Sequence, residues 1–147
     1  MRDELSDERL RKVLTDTRSV AVVGASARPA RPSYGVVRYL LEDTDYDVYL
    51  VNPTISEAHG RPVYPSLAAL PVRPDLVDVF RRTSELAGVY DQAAAVGADT
   101  LWLQLGLSDA DIAARGAAAG MAVVMDRCLL VEHARLLGRG AAAVFPP

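Results

Sequence analysis

Ser19-Val20-Ala21-Val22-Val23-Gly24-Ala25-Ser26-Ala27-Arg28-Pro29 decides the fold. A short apolar, β-branched run stops at Gly24, small residues and an arginine follow, and a helix-like pattern begins near Ser33. Strand, turn and helix start in that order form the layout that holds a phosphate at the first crossover of a doubly wound sheet. The usual dinucleotide fingerprint is missing. After Gly24 the next glycine is Gly35, so G-x-G-x-x-G cannot be read here.

The same alternation continues outward. Val48-Tyr49-Leu50-Val51, Leu76-Val77-Asp78-Val79-Phe80, Thr100-Leu101-Trp102-Leu103-Gln104 and Met121-Ala122-Val123-Val124 read as further buried strands. Between them lie helical patterns. One starts with Ser33 as N-cap and turns Val36, Val37, Leu40 and Leu41 to one side. A second is capped by Thr83 or Ser84 and carries Leu86, Val89, Tyr90 and Ala93. A third opens on a Ser108–Asp111 capping box, and a last one runs from Leu129 to Leu137 and ends at Gly138. Ahead of the first strand, Ser6 caps a helix whose stripe is Leu10, Val13 and Leu14, with Leu5 stapled onto Leu10 and the helix at the sheet edge. Residues 54–74 are mixed: His59-Gly60 and Arg61-Pro62 are turn-like, and Ser66 to Leu70 reads as a short helix. The expected fold is α/β, a Rossmann-type doubly wound parallel sheet of about five strands with helices on both faces. One domain is expected over 1–147: a helix within 1–18, a core over 19–137 and a loose tail over 139–147.

Composition narrows the function. The net charge is −3, against a dedicated nucleic-acid binder. A single cysteine, Cys128, permits no internal disulfide and favours a reducing compartment. The polar, acidic start of the chain does not read as a signal peptide, and no apolar run approaches a membrane span, so a cytoplasmic protein is expected. One cysteine and two histidines do not suggest a metal site.

Four constellations could carry chemistry. The turn from Gly24 to Ser33 offers backbone N–H groups, the Ser26 hydroxyl, a helix N-terminus, and Arg28 and Arg31 with no acid before Leu41. It reads as a phosphate clamp, or more simply as an exposed loop with solvated arginines. Asn52-Pro53 stands after the second strand, where NAD-binding domains place an acid for the ribose hydroxyls. A neutral asparagine lowers the case for NAD and leaves room for a phosphorylated ribose; it would also serve as a turn residue. Phe80 and Arg81-Arg82 follow the third strand as an apolar wall with phosphate partners, though Phe80 also fits the core. Gln104 and Gly106 follow the fourth strand as a polar contact and a point of close approach, or as a cap and turn. No catalytic residue emerges: Gly24 to Arg28 lacks the last glycine of a nucleophile elbow, neither histidine has a clear triad partner, and Cys128 beside Leu129-Leu130 reads as structural.

Five segments in order are together more specific than any one of them. They are Val23 to Ser26 with Arg28-Pro29 and Ser33 to Val36; Val51-Asn52-Pro53; Asp78 to Arg81; Leu101 to Gly106; and Val124 to Cys128. Gly60 with Val63 to Leu67 also fits. On these the chain resembles the CoA-binding domain family, small stand-alone Rossmann-type proteins similar to the N-terminal domain of the succinyl-CoA synthetase alpha subunit. The resemblance covers Ser19 to Leu137. It implies coenzyme A lying across the strand tips. Gly24, Ala25, Ser26 and Arg28 would hold phosphates, flanked by Ser33 and Tyr34. Asn52 and Pro53 would line the ribose and adenine. Val79, Phe80 and Arg81 would border the nucleotide, with Gln104 and Gly106 nearer the pantetheine arm. The synthetase also needs a domain with a phosphorylated histidine and a nucleotide-binding subunit. Neither that domain nor a P-loop is read in these 147 residues, so ligase activity is not carried over. The expectation is a CoA or acyl-CoA binding protein, non-catalytic by itself and regulatory in one version, with a second copy or an enzyme as partner. The alternatives are an NAD(P)-linked oxidoreductase and a CoA-dependent acyl-transfer or ligase component that uses a partner subunit.

Overall fold

The computed structural model describes residues 6–138. The expected tail over 139–147 and the Leu5 staple lie outside them.

Five parallel strands form where the buried runs occur: β1 (Ser19–Val23), β2 (Asp47–Val51), β5 (Leu76–Val79), β6 (Thr100–Leu103) and β7 (Ala122–Val124). The segment between β2 and β5 adds β3 (Glu57–Ala58) and β4 (Arg61–Tyr64). They pair antiparallel across His59-Gly60, where φ is 57° and 69°. Two positive φ values in a row make a primed hairpin turn, whose twist matches the strands it joins. β4 then pairs parallel with β2, so the sheet has seven strands in the order β3-β4-β2-β1-β5-β6-β7. The short helix expected near Ser66 is a 3-10 turn over Leu67–Ala69.

Helices α1 (Asp7–Asp16), α2 (Pro32–Asp43) and α5 (Leu129–Leu136) cover one face, and α3 (Leu86–Ala95) and α4 (Ala110–Ala119) the other. α1 lies on a face rather than at the sheet edge. Its Leu10 and Leu14 are buried among Val20, Val22, Leu76 and Trp102. Each such leucine contributes about 1.5–3 kcal/mol by leaving water. Ser6 caps α1, its hydroxyl oxygen accepting the Arg9 N–H at 3.2 Å.

Three caps differ from expectation. α2 is entered through Arg31 with Pro32 as first residue, since proline's fixed φ suits that position; Ser33 lies inside the first turn. At α4 the cap is Asp109, whose carboxylate accepts the Ile112 N–H at 3.0 Å. Asp109 sits one residue closer to the helix than Ser108, at the right distance for that bond. The helix after β5 is entered through a 3-10 turn over Thr83–Glu85, with Glu85 as N-cap, so neither Thr83 nor Ser84 caps it. Among the described residues no helix is long and apolar enough to cross a membrane.

Candidate functional site

From β1 the chain builds outward to β2 and β4, then returns through β5 to β6 and β7. The reversal falls between β1 and β5. A parallel sheet leaves a crevice there, because the loops at the two strand tips lead to opposite faces. A cleft of about 950 Å³ occupies this place, reaching from the β2 tip to the start of α5. That is near the upper end of the size of small-molecule sites, roughly 300–1,000 Å³.

Eight of the expected residues line it: Gly24, Ser26, Arg28, Ser33, Asn52, Phe80, Arg81 and Gln104. Five do not. Ala25 is fully buried, because Ala25 and Gly24 both extend the β1 ladder by donating their N–H groups to the Val51 carbonyl. Val79 is fully buried on the opposite face, as strand alternation requires once Phe80 faces the cleft. Tyr34 turns toward the β3–β4 hairpin and stacks on His59 at 4.1 Å between ring centroids. Pro53 is exposed in the turn after β2, and Thr54 and Ile55 line the cleft instead. Gly106 is exposed, with its N–H donated to the Asp126 carboxylate at 2.7 Å; Leu105 and Leu107 on either side of it reach the cleft.

The loop after β1 is ordered by its own bonds. The Arg28 N–H donates to the Ser26 hydroxyl at 3.0 Å, and the Arg31 N–H to the Arg28 carbonyl at 3.0 Å. The N–H groups of Ser26, Ala27 and Ser33, all cleft residues, donate to no acceptor among the described residues. Unpaired amides beside a helix N-terminus suit an anion. The Asn52 side chain is engaged by the protein's own loops. Its Nδ2 donates to the Ala25 carbonyl at 2.8 Å, and its Oδ1 accepts from the Thr54 N–H and hydroxyl, each at 2.8 Å. It ties the β2 tip to the loop.

Among the described residues, four arginines line the cleft, Arg28, Arg31, Arg81 and Arg82, against one carboxylate, Glu85. The Arg81 Nε lies 2.6 Å from the Glu85 carboxylate. Arg28, Arg31 and Arg82 have no carboxylate partner among the described residues. A chain of net charge −3 thus gathers unpaired positive charge in one concavity. Such focusing attracts polyanions. The sequence placed Arg31 and Arg82 beside the site. Nothing in it marked Thr54, Ile55 or Leu107, and Leu105 stood only within the Leu101 to Gly106 segment without a role of its own; all four line the cleft.

Beneath Phe80, on the same side of β5, Asp78 is fully buried between Val22 and Trp102 of the neighbouring strands. Neither carboxylate oxygen has a hydrogen-bond partner among the described residues. Burial pushes its pKa well above the ordinary carboxylate value. It does not line the cleft.

The doubly wound sheet thus carries a cationic cleft at its switch point. Residues 18–134 match the CoA binding domain family, and the chain belongs to that family. It is similar to the uncharacterized protein YneT of Bacillus subtilis, 36% identical over 129 residues that cover 88% of this chain and 95% of that protein. It is also similar to the structure of a hypothetical protein from Pyrococcus horikoshii. That match has 37% identity and a TM-score of 0.86, covering 94% of this chain and all of the other. The dinucleotide forming acetyl-coenzyme A synthetase 1 of Ca. Korarchaeum cryptofilum shares the fold. There the identity is 24% and the TM-score 0.69, over 76% of this chain and 26% of the synthetase.

Proposed function

We propose that this chain binds coenzyme A or an acyl-CoA in the cleft and is not a catalyst by itself. One observation carries the reading: among the described residues Arg28, Arg31 and Arg82 line the cleft without carboxylate partners, beside unpaired amides. Coenzyme A carries a diphosphate and a ribose 3′-phosphate, and guanidinium groups bind such oxygens with charge-assisted hydrogen bonds. The β2 tip favours this ligand over NAD. Asn52 brings no charge to repel a ribose phosphate, and its Oδ1, already accepting two hydrogen bonds from Thr54, is not free to accept from ribose hydroxyls as an acidic residue would. Family membership supports the same ligand. A regulatory role follows as the next step, with occupancy by coenzyme A altering affinity for an enzyme or a second copy of the chain.

Calorimetric titration tests this. Wild type is expected to give a saturable heat with coenzyme A, and Arg28→Ala to weaken binding about tenfold or more, the loss of one charge-assisted bond. Folded wild type giving no heat with coenzyme A or acetyl-CoA, yet a thermal shift with NADP, would overturn it.

A further inference from the structure

Cys128 lines the same cleft as the arginines. The preceding loop fixes it there. Asp126 adopts φ 58° and accepts the Gly106 N–H, while the Arg127 carbonyl accepts the Trp102 indole N–H at 2.9 Å. Cys128 is a free, half-buried thiol.

A second observation at this end of the cleft points independently to a ligand. Gln104 lines the cleft and is only 6% exposed. Its Oε1 accepts the Leu129 N–H at 3.1 Å, but its Nε2 donates to no acceptor among the described residues. Those donors belong to a residue of the cleft lining and are available to an accepting group of a ligand.

The order of strands gives the order of chemistry. Arg28 and Arg31 follow β1, Arg82 follows β5, Gln104 follows β6 and Cys128 follows β7, and these strands are consecutive neighbours. Three strand spacings separate the ends, about 14 Å. Coenzyme A has the same sequence of groups: phosphates, then an arm with two amide carbonyls, then a thiol. Resting on the binding reading above, we infer that Cys128 captures the ligand's sulfur, forming a mixed disulfide by exchange with CoA disulfide.

The exchange balances without an outside oxidant. The Cys128 thiolate attacks one sulfur of CoA disulfide. A bond forms between Cys128 Sγ and that sulfur, and the original S–S bond breaks. The second coenzyme A leaves with the electron pair as a thiolate and takes a proton from water. The disulfide passes from ligand to protein, and a reducing thiol later releases the bound coenzyme.

Intact-protein mass spectrometry on the full chain tests the capture. CoA disulfide is expected to add the mass of one coenzyme A, reversibly with dithiothreitol, and to leave Cys128→Ser unmodified. Binding at the arginines raises the local concentration, so the adduct should form about 100-fold or more faster than with glutathione disulfide. No adduct, or equal rates with both disulfides, overturns the capture. Calorimetry of Cys128→Ser with reduced coenzyme A separates the two claims. If that variant binds while wild type forms no adduct, capture fails and the binding reading stands. If wild type and variant neither bind nor react, both fall.

Discussion

Gly24 faces the backbone carbonyl of Phe80 across the seam between β1 and β5, with no room for a Cβ between them. Its φ of 91° is also one that side chains with a Cβ rarely adopt. The closeness of these two strand tips opens the loop above them toward the cleft. Gly24→Ala is expected to lose about 1–3 kcal/mol through backbone strain, and more through the collision. Urea unfolding monitored at Trp102 measures this loss.

Asn52 predicts a different failure. Asn52→Ala removes the bond to the Ala25 carbonyl and both bonds from Thr54. The half-buried site limits the loss of stability to about 1–3 kcal/mol. Coenzyme A binding is expected to weaken by more than the stability change, because the loop bearing Arg28 loses its anchor. Paired thermal melts with and without coenzyme A separate the two effects. An equal melting shift by ligand in wild type and variant would show that the anchor does not matter to binding.

Glu85 opposes any anion in the cleft and occupies Arg81. Glu85→Gln frees that guanidinium and removes a repelling charge. Affinity for coenzyme A is expected to rise about two- to fivefold, the scale of a partly exposed ion pair. Calorimetry in low and high salt checks it; the gain should shrink as salt screens the charges.

Asp78 sets a pH dependence of stability. Its pKa in the fold stands above the ordinary value of 3.8, so between the two values the folded chain holds a proton that the unfolded chain releases. The stabilising proton is fully present below 3.8, and stability falls as pH rises toward the raised value. The expected slope is at most about 1.4 kcal/mol per pH unit. Asp78→Asn cannot ionise, so it should remove this slope and become the more stable protein at alkaline pH. Melting temperatures across a pH series measure both. An unchanged slope in the variant would place the titrating group elsewhere.

The five central strands were legible because each is buried on both faces and reads as an unbroken apolar run, as in Val20 to Val23 or Leu101 to Leu103. β3 and β4 were not. β3 has two residues, and β4 contains Pro62, which propensity reads as a break. Their turn at His59-Gly60 was visible but not the pairing across it. In the site, residue types pointed to the loops that line the cleft, while side-chain direction was hidden. Phe80 and Val79 both looked available, and strand alternation sends only Phe80 into the cleft. Asn52 was legible as neutral, but its commitment to Ala25 and Thr54 depends on how two loops meet.

The hairpin at the margin has a bearing on how these molecules behave when crowded. The sheet stops on that side at a strand of two residues, paired to one that contains a proline. So short a rim gives a neighbouring polypeptide almost no exposed ladder to join, and copies of the protein are kept from zipping together there.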